Sequence, residues 1–259
     1  MSGSFQNLTL GIEGRLAVLT VNRPQVRNAL DTATVAEFHA ALEEVRSARC
    51  GVLIVTGAGD AAFVSGADIA AIRERRRDDA LFGINSRLMA AVEAHEAVSI
   101  AAVNGYALGG GFELALSCDI IVAAEHARFG LPEVRVGVFA SDGGIHRLIR
   151  QIPQKIAMGL ILTGRHMPAA EAHRWGVVNE VVPGGELMTA ARRWADAVLE
   201  CAPLSVWASK ESALAGLHLS LNDAINKRYE YILRLEASED TREGPRAFRE
   251  KRKPKWRAR

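Results

Sequence analysis

The stretch that decides the fold is AAVNGYALGGGFELALSCDIIVA, residues 101–123. It starts as an apolar run, passes through Asn104-Gly105 and Gly109-Gly110-Gly111, and continues as a helix-like segment into a second apolar run. Although it carries only Glu113 and Asp119 as charges, these interruptions exclude one continuous membrane-spanning helix. Two fully apolar strands on either side of a glycine-led helix predict a buried sheet that is covered on both faces.

The rest of the chain continues this alternation and then becomes mainly helical. The predicted strands are Leu8–Ile12, Leu16–Val21, Val52–Thr56, Ser99–Val103, Ile120–Ala124 and Val177–Val182. The predicted helices are about Thr32–Arg46, a segment ending near Glu96, one after the three glycines, and Gly144–Arg150, Gln154–Leu162, Ala169–Trp175, Leu187–Glu200, Leu204–Ala215 and Leu219–Glu236. We therefore predict an α/β fold with a core at residues 1–195 and a helical C-terminal region at residues 196–259.

Composition excludes several classes of protein. With 259 residues and 49% hydrophobic residues, the chain can bury a large core without disulfides, and its three scattered cysteines fit a reducing compartment. The first residues show no signal-peptide pattern, so we expect a cytoplasmic protein. Residues 242–259 hold nine Lys/Arg against two Glu, a net charge of +7, whereas the whole chain is only +2. A basic tail on a mildly acidic body is not typical of a dedicated nucleic-acid binder.

Familiar motifs for nucleotides and metals fit poorly. Residues 57–62, GAGDAA, follow a strand and approach a dinucleotide fingerprint, but Phe63-Val64-Ser65-Gly66 interrupts the helix that such a site requires. The sequence contains no H-E-x-x-H, C-x-x-C or G-x-S-x-G. We therefore expect no metal site.

The strongest signal is a pair of glycine-led turns with a pair of carboxylates. The glycines before Glu113 lead into a helix whose first N–H groups are unpaired, which suits a developing oxyanion. A second turn, residues 63–69, could present the N–H of Ala67, and Glu133 follows the next strand. Glu113 could instead cap the helix dipole, and Glu133 could be an ordinary loop acid. Together these features favour chemistry at a carbon beside a polarised carbonyl.

These segments resemble the enoyl-CoA hydratase/isomerase (crotonase) superfamily. The matching stretches cover most of the chain in order: AFVSGADI (62–69), residues 101–123, FGLPEVRVG (129–137), GGIHRL (143–148), TGR (163–165), EAHRWGVVNEVV (171–182) and EGPRAFREKRKPKW (243–256). The resemblance implies a spiral of β-β-α units followed by helices that form trimers, which commonly pair into hexamers.

The resemblance also implies an acyl-CoA thioester substrate, with coenzyme A as part of the substrate and no metal or redox cofactor. The amides of Ala67 and Gly110 would form the oxyanion hole, with Asp68, Ile69 and Gly109 beside the substrate. Glu113 and Glu133 would be the catalytic acids, and the presence of both favours hydration of a 2-enoyl-CoA over isomerisation.

Some features depart from the general family pattern. Many hydratases have a sequence like Pro-Gly-Ala-Gly-Gly where this chain has Ala140-Ser141-Asp142-Gly143-Gly144, so Asp142 adds a charge near the expected acyl pocket. Phe112, RWGVVN and the tail most resemble the carnitinyl-CoA dehydratase branch, whose betaine substrate could use Asp142 as a counter-charge.

The basic segments have more than one interpretation. Phe248 and Lys251 could reach a neighbouring subunit's coenzyme A, or the tail could be a frayed end. A protein that binds RNA through this tail is the alternative to an enzyme. Arg73–Arg77 could lie near phosphates or form a solvated helix face.

Overall fold

The computed structural model describes residues 5–66 and 84–258. Contacts divide the chain into two compact units, Met1–Ala195 and Asp196–Arg259. The predicted basic segment Arg73–Arg77 lies outside the described residues.

The first unit contains a six-stranded sheet. Its strands are β1 (Leu8–Glu13), β2 (Leu16–Val21), β3 (Val52–Gly57), β5 (Val98–Val103), β7 (Ile120–Ala124) and β10 (Glu180–Val182). They lie side by side in the order β1-β2-β3-β5-β7-β10, and every neighbouring pair except β1 and β2 is parallel. β3 and β5 are buried throughout, as expected for strands covered on both faces.

A second sheet explains how the chain winds. Its strands are β4 (Ala62–Val64), β6 (Tyr106–Leu108), β8 (Arg128–Gly130) and β9 (Met167–Pro168), in the order β4-β6-β8-β9. In the pairs β3/β4, β5/β6 and β7/β8, the first strand enters the larger sheet and the second enters the smaller one. Each turn of chain therefore adds one strand to both sheets, which produces a spiral of β-β-α units.

Helices complete these repeats and cover the sheets. In the first unit they are α1 (Thr32–Ser47), α2 (Ile84–Glu93), α3 (Gly110–Ser117), α4 (Gly144–Gln151), α5 (Gln154–Thr163) and α6 (Ala169–Arg174). α7 (Leu187–Leu199) spans the boundary between the units. Every residue of α3 is buried, so the helix that carries Glu113 is a core element.

The second unit contains α8 (Pro203–Gly216), α9 (Leu221–Asn226), α10 (Glu230–Glu236) and α11 (Asp240–Arg249). Its tail is ordered against α11 rather than frayed. The buried carboxylate of Asp240 accepts hydrogen bonds from the N–H groups of Arg257 and Ala258, at 2.8 and 2.9 Å. Glu243 accepts two further hydrogen bonds from the Arg252 guanidinium.

Two predicted elements differ from the structure. The predicted helix Leu219–Glu236 is divided into α9 and α10, because Glu211 of α8 accepts hydrogen bonds from the N–H groups of Glu230 and Tyr231 and so fixes a new helix start. The predicted strand Val177–Val182 shortens to β10, since Val177 and Val178 bond back to Ala172 at the end of α6.

Candidate active site

Two of the three glycines where β6 leads into α3 meet a specific steric demand. Gly109 has φ +53°, which non-glycine residues rarely adopt. A Cβ on Gly111 would lie 1.8 Å from the Val64 carbonyl oxygen, so only glycine lets α3 pack this closely on β4. Gly110 is the first residue of α3, and its N–H therefore has no acceptor within the helix.

The chain before Ala67 approaches this same amide. Gly66, at φ +108°, packs so that a Cβ placed on it would lie 3.8 Å from the Gly110 nitrogen. The N–H of Leu30 donates to the Gly66 carbonyl at 2.9 Å and anchors this turn from the first repeat. The turn ending at Gly66 and the turn beginning at Gly109 are therefore neighbours.

Two buried asparagines hold the loop between β3 and β4 that leads to this turn. The side chain of Asn104 donates to the carbonyls of Gly57 and Gly59 and accepts from the N–H of Gly57. Asn28, which is 1% exposed and has φ +58°, donates to the carbonyls of Ala58 and Ala62. These bonds satisfy backbone groups at the end of β3 and in the loop that follows it.

Glu113 lies in the first turn of α3 and is only 1% exposed. Its Oε1 accepts hydrogen bonds from the N–H groups of Asp142 and Gly144, at 2.9 and 2.8 Å. Burial raises the pKa of Glu113 to about 8; the amide of Gly144 opposes this rise, the charges of Asp142 and Glu133 add to it, and the Asp142 amide opposes it. Glu113 is thus a carboxyl group that keeps its proton near neutral pH.

Glu133 lies in a 3-10 helix, Pro132–Val136, directly after β8. A Cβ on Gly109 would come within 2.8 Å of Glu133 Oε1, so this carboxylate lies against the glycine turn. Its Oε2 is buried without a hydrogen-bond partner in the described part of the chain. Burial raises the pKa of Glu133, its own backbone N–H opposes the rise, and the charge of Asp142 adds to it.

Asp142 is a third acid beside this pair. Its carboxylate accepts a hydrogen bond from the Ser86 hydroxyl of α2 at 3.0 Å. Arg147 of α4 donates to the Asp142 backbone carbonyl but forms its ion pair with Glu93, at 2.9 Å. The Asp142 side chain is therefore half-buried without a cation partner among residues 5–66 and 84–258.

The structure thus brings together five of the residues singled out in the sequence: Gly109, Gly110, Glu113, Glu133 and Asp142. The predicted contributors Ala67, Asp68 and Ile69 lie outside the described residues. Phe248, which is 86% exposed on α11, and Lys251, at φ +51°, belong to the second unit.

Sequence reasoning missed several residues that shape the site. Ser86 and Asn28 carry no local signal, because the groups they bond are 56 and 34 positions away. Gly144 was noted only as part of a glycine pair, although its N–H binds Glu113. The sequence indicates Asn104 only as part of an interruption after an apolar run, and its position in the sequence does not reveal its bonds to the preceding repeat.

Neither a metal cluster nor a membrane helix accompanies this site in the part of the chain that the structure describes. There, no group of three or more His, Cys, Asp or Glu side chains could hold a metal ion. No helix within those same ranges has the length and apolar character needed to cross a bilayer.

Comparison with known proteins gives a consistent result. Residues 11–259 match the family described as Enoyl-CoA hydratase/isomerase. The chain is 40% identical to the carnitinyl-CoA dehydratase of Proteus mirabilis, over 98% of this chain and 99% of that protein. It is 39% identical to the short-chain-enoyl-CoA hydratase of Clostridium acetobutylicum, with 96% and 97% covered. The crystal structure of an enoyl-CoA hydratase from Bacillus anthracis superimposes with a TM-score of 0.93 at 32% identity, covering 98% of this chain and 100% of that one. Matches that span nearly all of each chain, in sequence and in fold, place this protein in the enoyl-CoA hydratase/isomerase family, and its spiral of β-β-α units is the crotonase fold.

Proposed function

We propose that the protein adds water reversibly across the α,β double bond of a 2-enoyl-CoA. The observation that carries this proposal is the placing of two acids, Glu113 and Glu133, at the glycine turn that presents the amide of Gly110: Glu113 lies in the first turn of the helix that begins there, and Glu133 Oε1 lies against Gly109. An isomerase needs to move only one proton between two carbons, whereas hydration must both activate a water molecule and protonate the α-carbon. Two acids at the same glycine turn therefore fit hydration better.

The oxyanion hole supplies the electrostatic part of the mechanism. As water attacks the β-carbon, negative charge develops on the thioester oxygen, and the Gly110 N–H is proposed to donate to it together with the N–H of Ala67. One fixed donor of this kind contributes about 3–4 kcal/mol to transition-state stabilisation. Because Gly110 begins a helix in which every residue is buried, its N–H is already fixed in direction before the reaction.

The two glutamates divide the proton transfers. The raised pKa of about 8 favours a proton on Glu113 in the substrate-free pair. In the proposed reactive form this single proton has moved to Glu133, so that ionised Glu113 accepts a proton from water as the water oxygen bonds to the β-carbon, and protonated Glu133 donates to the α-carbon. A proton must then pass back to Glu133 before the next turnover. Positioned acids and bases of this kind each contribute about 10²–10⁴-fold in rate.

Substrate and assembly belong to the same proposal. Coenzyme A enters as part of the substrate, and no resident cofactor takes part. The protein is proposed to be a cytoplasmic homotrimer or dimer of trimers in which Phe248 and Lys251 contact a neighbouring subunit's coenzyme A. RNA binding by the tail is not proposed, because Arg246, Arg252 and Arg257 are already paired with glutamates.

The test is direct. Purified protein should remove the conjugated-thioester absorbance of crotonyl-CoA without added nucleotide or metal. Glu113→Gln and Glu133→Gln should each lower kcat by at least about 10²-fold while the fold is retained. Loss of activity in Glu133→Gln alone would favour isomerisation, and no absorbance change across a panel of enoyl-CoAs would reject the hydratase proposal.

Asp142 favours a second candidate within the same chemistry. A half-buried carboxylate without a cation partner in the described ranges suits an acyl group that carries a positive charge. Relatives named carnitinyl-CoA dehydratase point the same way. The comparison that decides is kcat/KM for crotonobetainyl-CoA against crotonyl-CoA: a dehydratase-like enzyme prefers the former and loses that preference in Asp142→Asn.

A further inference from the structure

Three carboxyl groups meet at the proposed site, and none of them forms a salt bridge within residues 5–66 and 84–258. The charges that act on Glu113 are those of Asp142 and Glu133, and the charge that acts on Glu133 is that of Asp142. Like charges this close disfavour full ionisation of the group. The proposed reaction gives a proton-transfer role to Glu113 and Glu133. It does not explain what Asp142 does in the enzyme before substrate binds.

The start of α4 shows how Asp142 is placed relative to Glu113. Glu113 and Asp142 both lie at this helix N-terminus, where unpaired N–H groups favour anions. Glu113 accepts from the N–H groups of Gly144 and of Asp142 itself, and within the described ranges the Asp142 carboxylate accepts from the hydroxyl of Ser86 alone. Asp142 thus contributes an amide to Glu113 and a charge against its ionisation.

Within residues 5–66 and 84–258, the basic side chains near the site form no ion pair with these acids. On α4, the Arg147 guanidinium donates to the Asp142 backbone carbonyl at 3.2 Å but pairs with Glu93 of α2, and His146 is exposed. On the 3-10 helix that carries Glu133, Arg135 donates to the Thr163 carbonyl at 2.9 Å. Arg87 of α2 is exposed. The strands packed against α3, β4 (AFV) and β6 (YAL), carry one titratable side chain, the 41%-exposed Tyr106.

We propose that Asp142 is a positioning residue whose carboxylate, held by Ser86 and without an ion pair among residues 5–66 and 84–258, adds to the effect of burial in keeping one proton on the Glu113–Glu133 pair of the substrate-free enzyme. The catalytic consequence rests on the proposed function, because hydration through this pair requires one proton on it. The retained proton itself does not depend on which substrate is used. Asp142 replaces a residue that is uncharged in the general family pattern, so this device is particular to this chain and to others that carry an acid here.

The first experiment is a pH profile of kcat/KM for crotonyl-CoA. Asp142→Asn keeps the backbone N–H to Glu113 and a group that can bond Ser86, but removes the charge. We expect the basic limb, where the pair loses its proton, to move to lower pH by about half to one pH unit. Asp142→Glu restores the charge and should return the limb toward its wild-type position.

The matched control is Asp119→Asn. Asp119 also accepts a hydrogen bond from a serine hydroxyl, that of Ser99 at 3.0 Å, but it is not among the charges that act on either glutamate. Its removal should leave the limb in place. A wild-type profile in Asp142→Asn overturns the proposal, and so does a change confined to KM for cationic acyl groups, since Asp142 would then act on substrate alone.

The second experiment needs no turnover. Urea unfolding of the protein between pH 5 and pH 9 reports protons that the folded state retains. Wild-type stability should fall as pH rises from about the ordinary glutamate value of 4.5 toward about 8, since the unfolded chain has already released the proton that the pair still holds. In Asp142→Asn this decline should end at lower pH, and an unchanged decline overturns the proposal. If the protein hydrates no enoyl-CoA but still shows this difference in stability, the proposed function is wrong and the proposed role of Asp142 is supported.

Discussion

At the scale of single residues, Glu113 shows the conflict between stability and chemistry most clearly. An acid that is 1% exposed, in a helix of apolar neighbours, is costly to ionise, and two N–H donors offset only part of that cost. Natural sequences retain such groups where activity needs them. The expected signature is therefore a variant that becomes more stable as it loses function.

Glu113→Gln should be that variant. The amide oxygen of glutamine can still accept from Asp142 and Gly144, and the neutral group removes the charge penalty. Because the raised pKa destabilises the folded state only above about pH 4.5, the variant should gain on the order of a few kcal/mol at pH 8 and little at pH 5. Urea unfolding at both pH values measures this; equal effects at the two would contradict the assignment.

Gly111 offers a second test at this scale. A methyl group at Gly111 would lie 1.8 Å from the Val64 carbonyl oxygen, so α3 and β4 must separate in Gly111→Ala. We expect a loss of at least about 3 kcal/mol in the free energy of unfolding, together with loss of turnover. Gly159→Ala is the control, since nothing lies within 4 Å of its Cβ position in α5, and it should stabilise by about 0.5–1 kcal/mol. Similar effects of the two changes would show that the close approach is not what requires Gly111.

At the scale of elements, the asparagines between the two sheets connect the fold to the site. Asn104→Ala would remove three hydrogen bonds to Gly57 and Gly59 and leave buried backbone groups unsatisfied. We expect a loss of about 2–3 kcal/mol in unfolding free energy, with a fall in kcat as the loop before Gly66 shifts. Asn226→Ala, at an exposed position in α9, should change stability by less than about 0.5 kcal/mol. Equal losses of unfolding free energy and of kcat in the two variants would show that the hydrogen bonds of Asn104 do not support the site.

The sequence predicted long elements well and short ones poorly. β2 and β7 begin and end where their β-branched runs do, because burial on both faces fixes strand type. The strands of the smaller sheet have two or three residues, too few for a periodic pattern, and they exist only through pairing with distant repeats. The break between α9 and α10 depends likewise on Glu211, a tertiary contact that no local pattern contains.

The candidate site was partly predictable for the same reason. Three successive glycines before Glu113 are a local anomaly, and an amide-lined turn followed from them. The hydrogen-bond partners of Glu113 lie about thirty positions later in the chain. They contact Glu113 only because of the way α4 packs against α3. Recognition of the family indicated the two acids, and the departure from the family pattern at Asp142 indicated a charge near the acyl pocket. The fold adds that the backbone N–H of Asp142 binds Glu113 directly.

At the scale of the whole molecule, the second unit has an apolar surface that its own residues leave uncovered. Leu217, Leu221 and Ile225 are 71%, 77% and 72% exposed, within nine positions around the start of α9. Contiguous exposed leucine and isoleucine side chains are uncommon on monomers and are typical of subunit interfaces. This surface belongs to the region expected to form trimers.

Leu221→Lys combined with Ile225→Lys should therefore disrupt assembly. Two charges at positions that an interface must desolvate oppose association strongly, whereas both sites are already exposed in the single chain and should leave its fold intact. Light scattering after gel filtration should show wild-type mass at a multiple of 28.0 kDa and the double variant at about one chain. Asn222→Lys, on the same helix, controls for added charge. If the wild-type and the double variant have equal masses, this surface is not the interface. If only the double variant is monomeric and its KM for crotonyl-CoA also rises, assembly completes the coenzyme A site as well.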